Sequence, residues 1–117
     1  MKTLTNEELR DILDQHALWL QDNTKGKRAN LSGADLSRAI LSGANLHEAN
    51  LRGANLSETN LSEANLNGAD LHNAYFNDAD LSGANLINSN WKDAVNINVQ
   101  NAILRVDPMK IWMEINK

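Results

Sequence analysis

From Ala29 to Asp93 the chain reads ANLSG ADLSR AILSG ANLHE ANLRG ANLSE TNLSE ANLNG ADLHN AYFND ADLSG ANLIN SNWKD, which is thirteen consecutive units of five residues. Leu occupies the third position of eleven units, and Phe76 and Trp91 occupy it in the other two. The first position is Ala in all but two units, and the second is Asn or Asp in all but two. A register kept this long indicates one local backbone conformation that recurs in every unit.

A period of five residues fits neither regular secondary structure. An α-helix turns about 100° per residue, so leucines five residues apart would be scattered around its surface. A flat strand alternates its faces, so successive leucines would lie on opposite sides. A chain that turns once in each unit buries all of them, because the first and third residues of a short extended piece point the same way. Asn or Asp at the second position stabilises the corner by bonding to the local backbone.

The A-(D/N)-L-x-x pattern of residues 29–93 resembles that of the pentapeptide-repeat family. The resemblance implies a β-solenoid: a right-handed quadrilateral β-helix with four units in each coil, so that residues twenty apart stack. The third-position side chains would then form four internal columns. This structural core comprises Leu31, Leu36, Leu41, Leu46, Leu51, Leu56, Leu61, Leu66, Leu71, Phe76, Leu81, Leu86 and Trp91.

Residues 1–28 predict an N-terminal capping α-helix and a linker. The helix should run from Thr5 to about Gln21, since Thr5 and Glu8 fit a capping box and apolar residues follow at helical spacing. The end of a solenoid exposes both its core and its strand edges. We therefore expect this helix to lie over the first coil.

Residues 94–117 predict a degenerate repeat followed by a short helix that starts at Asp107-Pro108. Residues 102–104 resemble one late unit that is out of register. Two hypotheses stay open for the apolar residues of this helix. They form either a C-terminal cap over the last coil or the interface of a homodimer. These residues are Ile111, Trp112, Met113 and Ile115.

The residue types argue against catalysis. Among the 117 residues there is no Cys, so disulfides and thiolate metal sites are excluded. The three histidines fall on separate parts of the predicted fold, and no His lies on the face where Ser42, Ser62 and Ser82 stack. The sequence predicts a non-enzyme without metal or cofactor.

The N-terminal residues and the length of the apolar stretches predict a cytoplasmic protein without a membrane segment. Acidic residues stand where a secretory signal would be apolar. Apolar runs are only a few residues long, whereas about 18 are needed to span a bilayer.

A candidate protein-binding surface lies on the outside of the predicted coil. Four acids are expected to cluster around one corner, beside a tyrosine that departs from the Asn/Asp pattern. An aromatic ring among charges is a candidate binding anchor, although the acids would also keep a leucine-rich rod soluble. The residues are Glu58, Glu63, Tyr75, Asp78 and Asp80.

Two function classes follow from the family resemblance. The first is a protein-interaction module with a protein partner of unknown identity. The alternative is a DNA mimic that inhibits a DNA-binding enzyme such as gyrase or another topoisomerase, a restriction enzyme or a CRISPR nuclease. Residues 29–93 carry a net charge of −5, which argues against direct binding of nucleic acid. DNA as long as the predicted tower, about 16 Å, carries roughly nine charges, so a single chain has about half the charge of a mimic.

Overall fold

The repeats pair with one another at a fixed interval of twenty residues in the computed structural model, which describes residues 1–117. Parallel bridges join Asn30 to Asn50 and Asn50 to Asp70, and the three other sides follow the same rule up to Asn85. Each bridge joins second-position residues that lie four units apart. Four units therefore make one coil, and the third-position residues stack in the four columns named above.

Every corner uses the same turn. The backbone N–H at the first position of a unit donates to the carbonyl oxygen of the preceding third position, as Ala34 does to Leu31 at 3.1 Å. In most units the second position is Asn or Asp, and its side chain accepts a hydrogen bond from the backbone N–H two residues later, as Asp35 does from Ser37 at 3.0 Å. These bonds stabilise the corner in the way predicted for Asn and Asp.

The fifth position of each unit has a left-handed backbone. From residue 33 to residue 88 every fifth-position residue has a φ between 58° and 70°. Gly occupies this position most often, because it adopts positive φ without steric cost. The other residues found there are Arg38, Glu48, Glu58, Glu63, Asn73, Asp78 and Asn88.

The core is a continuous shaft of Ala and Leu. Twelve of the thirteen third-position residues are buried, and Trp91 is half-buried at the end of its column. Thr59 replaces Ala in one column and is buried as well. The larger Thr59 side chain does not distort the coil, since the bridges of Asn60 to Ile40 and to Asp80 keep their register.

Helix α1 (Asn6–Gln21) covers the first coil. Thr5 is its N-cap, and Thr5 and Glu8 form the predicted capping box with two bonds of 3.1 Å. The apolar side chains of Leu9, Ile12 and Leu13 pack against the core.

A short strand, which the sequence did not predict, precedes α1. It is β1 (Lys2–Thr3), and it pairs in parallel with β2 (Ala34–Asp35) of the first coil. One edge of the first coil is therefore covered by the N-terminal residues.

The last coil is two residues shorter than the others. Trp91–Asp93 form a 3-10 helix, and the Leu71 N–H bonds to the side chain of Asn90 instead of its backbone. Tyr75 still pairs with Val95, twenty residues on, whereas Asn85 pairs with Ile103, eighteen residues on. Ile103 thus pairs as a second-position residue two residues out of register, whereas Leu104, which follows it at the third position, is exposed.

Helix α2 (Pro108–Ile115) follows, and the hypothesis that it caps the tower is wrong. All residues from 103 to 117 are exposed, and none belongs to the core or packs against it. The half-buried side chains of Ile97, Val99 and Ala102 pack against the core instead, because the shortened coil brings them over its end. None of the helices has the length and apolar character that crossing a membrane requires.

Candidate protein-binding surfaces

The four acids of the predicted surface lie along one side of the tower rather than around one corner. Backbone bonds link Glu58 to Asn77 and Glu63 to Ser82, so the two glutamates stand in different corner columns. Asp78 shares the corner of Glu58, and Asp80 lies on the side between the two corners. The prediction of a single cluster is wrong, because residues five apart at the fifth position are separated by one full side. We call this surface, formed by Glu58, Glu63, Asp78 and Asp80, the acidic side.

The charge of the acidic side is partly neutralised. Arg38 Nε donates to Glu58 Oε2 at 2.7 Å, and this bond raises the pKa of Arg38. Asp80 stays ionised at neutral pH, because hydrogen bonds from the backbone and hydroxyl of Ser82 hold its pKa below the usual range. Three carboxylates therefore lack a basic partner on this side.

Tyr75 stands on the neighbouring side, which meets the acidic side at the Asp78 corner. Its side chain is 42% exposed, and its backbone pairs with Asn55 and Val95. A tyrosine at the second position cannot accept the corner bond that Asn or Asp accepts there. The Tyr75 side chain therefore does not stabilise the turn. Because its ring is exposed, Tyr75 is a candidate residue for contact with another protein.

A different side carries a cluster of charges that neutralise one another. Arg52 Nη1 lies 3.1 Å from Asp70 Oδ2, and Asn90 Nδ2 donates to Asp70 Oδ1 at 2.8 Å. Partial burial raises the pKa of Asp70, but the bonds from Asn90 and Arg52 outweigh it and lower that pKa overall. This side therefore has little excess charge, and the surplus of acid is concentrated on the acidic side.

The exposed helix α2 is the second candidate surface. Ile111, Trp112, Met113 and Ile115 are between 45% and 76% exposed. Ile103, Leu104 and Val106, on the segment that leads to α2, are also exposed. An apolar surface of this extent on a small chain is typical of a contact with another protein.

The side chains do not form a recognisable active site. No three His, Cys, Asp or Glu side chains are close enough together to hold a metal ion. The largest cavity, about 600 Å³, is an open cleft beside the end of α1 and brings together His47 and Glu48 without a nucleophile. His16 is buried under α1, and His72 lies 3.9 Å from Asp93 on another side.

The repeats provide the identification. The family model described as Pentapeptide repeats matches residues 27–57 and 54–90. The chain belongs to the pentapeptide-repeat family. Members of this family form right-handed β-helices, and the twenty-residue pairing of this chain agrees with that fold.

Solved structures of other pentapeptide-repeat proteins are similar to this chain. A protein from the thylakoid lumen of Arabidopsis thaliana is 31% identical, with a TM-score of 0.60 over 67% of this chain and 55% of that one. HetL of the cyanobacterium Nostoc, which is involved in the regulation of heterocyst differentiation, is 33% identical, with a TM-score of 0.52 over 67% of this chain and 41% of HetL.

The plasmid-mediated fluoroquinolone resistance protein QnrB1 shares the fold at lower identity. It is 21% identical, with a TM-score of 0.53 over 74% of this chain and 41% of QnrB1. This chain therefore spans about half, or less, of the length of these relatives. A sequence comparison with curated proteins gives no match.

Proposed function

We propose that this pentapeptide-repeat protein is a non-catalytic protein-interaction module of the cytoplasm and that two copies associate through α2. Proteins of this family are generally structural or interaction modules. The observation that carries the proposal is the exposure of α2, whose large apolar side chains cover nothing in their own chain.

The sequence of α2 favours a second copy as the occupant of its apolar surface. The helix is almost symmetric about Trp112, with apolar residues one and three positions away and charged residues two positions away on either side. Lys110 and Glu114 each lie about 160° around the helix axis from Trp112, so the apolar residues form one face centred on Trp112 and the two charges lie on the opposite face. Two copies of α2 that cross antiparallel at Trp112 would bury these apolar faces against each other. Such a self-complementary patch is what a two-fold interface needs.

Sedimentation equilibrium of the full chain tests the dimer. We expect a species of twice 13.0 kDa, and at least tenfold weaker association for Trp112→Ala. Lys110→Glu, on the face of α2 opposite Trp112, should leave the association unchanged. Lys25→Glu, in the linker, is the matched control and should have no effect. A monomer at all concentrations, or a dimer indifferent to Trp112→Ala, would refute the interface.

For the protein partner, we propose a basic surface that contacts the acidic side and Tyr75. The three unpaired carboxylates attract positive charge, and the exposed ring provides an apolar contact at the shared corner. Binding should be lost in the triple variant Glu63→Lys, Asp78→Lys, Asp80→Lys. The matched control Asp11→Lys, Asp14→Lys, which changes exposed acids of α1, should leave it intact.

DNA mimicry is supported less well than a general interaction role. Arg38 neutralises Glu58, and the remaining carboxylates are spread over a whole side rather than along one continuous track. A mimic should bind a DNA-handling enzyme with a steep salt dependence and compete with duplex DNA. If the partner binds this chain and duplex DNA at the same time, the chain is not a DNA mimic. The proposed role as a protein-interaction module would be unaffected by that result.

A further inference from the structure

His16 is the one fully buried histidine, and it lies between α1 and the first coil. Its Nδ1 accepts a hydrogen bond from the backbone N–H of Ala29, the first residue of the repeats, at 2.9 Å. Its ring stacks on Trp19, with the ring centroids 5.7 Å apart. An Nδ1 that accepts a hydrogen bond carries no proton, so the docked ring is the neutral tautomer with its proton on Nε2.

The surroundings of His16 oppose a positive charge. Nε2 is buried and makes no hydrogen bond of good geometry, although the main chain of His47 lies near the ring. The charged or titratable groups that face the ring from the linker and the coil are Arg28, His47 and Glu48, and Trp19 faces it from α1 itself. Burial lowers the pKa of His16 most, and the charges of His47 and Arg28 lower it further. The main chain of His47 and the Glu48 carboxylate raise it, but the net shift is downward.

We propose that His16 makes the docking of α1 dependent on pH. A proton taken up from solvent at Nδ1 breaks the bond with Ala29 and places a cation in the buried interface, so α1 leaves the first coil. The coils themselves stay folded, because their backbone bonds run from coil to coil and do not involve His16. Release exposes the apolar face of α1 and the end of the first coil. The proposal is independent of the proposed function, since it concerns the opposite end of the tower.

The direction of the effect follows from the lowered pKa. A released His16 has an ordinary pKa of about 6.5, whereas the docked ring has a lower one. Docking is therefore at full strength above about pH 6.5 and weakens by up to tenfold per pH unit below it, until the docked ring itself is protonated.

Hydrogen exchange of the full chain at pH 7.5 and pH 5.0 tests the proposal. His16→Asn is the key variant, because the Asn side-chain oxygen replaces the Nδ1 acceptor and does not titrate. His72→Asn, the same substitution at a partly exposed site, is the matched control. Comparing variants at the same pH cancels the intrinsic pH dependence of exchange.

We expect peptides from residues 6–21 to lose more than twofold of their protection at pH 5.0 in the wild type and in His72→Asn, relative to His16→Asn. Peptides from residues 46–86 should differ by less than twofold. Equal protection of α1 in all three proteins, or parallel loss in the coils, would overturn the proposal.

If α1 of the His16→Asn variant does not dock at pH 7.5, NMR spectroscopy of the wild-type protein tests the proposal instead. The ¹⁵N shifts of the His16 ring should show an unprotonated Nδ1 at pH 7.5. The amide signals of α1 should change with the same midpoint as the ring. A protonated Nδ1 at pH 7.5, or α1 signals that do not follow the ring, would refute the switch.

Discussion

The hydroxyl of Thr59 donates to the carbonyl oxygen of Leu36 at 2.9 Å, from one coil to the next at the same corner of the tower. This bond explains how a polar side chain is accommodated in an alanine column without a break in the coil pairing. Leu36 also accepts from the N–H of Ala39, so its carbonyl is satisfied even when Thr59 is changed.

We predict that Thr59→Val destabilises the protein modestly, by about 1 kcal/mol. The substitution keeps the volume and removes one buried hydrogen bond without leaving a buried donor unpaired. Chemical denaturation measures the change in the free energy of unfolding. A loss above about 3 kcal/mol would show that the hydroxyl has a further role.

Leu61 stands in the middle of a column and is fully buried. Leu61→Ala should cost about 2–5 kcal/mol, because it removes apolar contacts and leaves a cavity. Leu61→Arg should abolish folding, since no partner exists for a charge in the core. Ser62→Arg, one residue further on and outside the core, should melt almost normally. Melting curves followed by circular dichroism compare the stability of the three variants. A folded Leu61→Arg variant would contradict the inward orientation of the third position.

Gly43 and Gly26 both have a positive φ but differ in their surroundings. A Cβ on Gly43 would meet nothing within 4 Å, so Gly43→Ala should cost about 1 kcal/mol from backbone strain alone. A Cβ on Gly26 would collide with the carbonyl oxygen of Gln15 in α1. Gly26→Ala should therefore cost clearly more and loosen α1, as unfolding curves and hydrogen exchange would show. Equal costs for the two substitutions would contradict the close approach at Gly26.

Asn90 holds the last coil to the one before it through its side chain. Its Oδ1 accepts from the N–H of Leu71, and its Nδ2 donates to Asp70. Asn90→Leu should destabilise the protein by about 1–3 kcal/mol, because it leaves the Leu71 N–H without its partner. Ser89→Ala, at the adjacent position, is the control and should cost less. Denaturation midpoints that are the same for the two variants would show that solvent replaces the Asn90 side chain.

The four-column core and helix α1 could be predicted because each rests on a local and repeated pattern. The spacing of Ala and Leu specifies which residues face inward, and the Thr5–Glu8 pair specifies where the helix begins. His16 falls on the apolar face of the predicted helix, so its burial could have been inferred from the spacing alone.

Other features depend on distances that the pattern does not contain. Lys2 and Thr3 have no alternation that would reveal a strand, and they pair with β2 only because α1 brings them there. The apolar composition of α2 indicates that the helix needs a partner but not where that partner lies. The expectation of a single acidic corner is a different case: Glu58 and Glu63 occupy the fifth positions of successive units, so the register itself places them at neighbouring corners.

The short last coil has a consequence for assembly. Val95 pairs with Tyr75 at a spacing of twenty residues, whereas Ile103 pairs with Asn85 at a spacing of eighteen. The last coil therefore does not repeat the outline of the coils before it. We expect such an irregular edge to be a poor template for strand addition by a second copy.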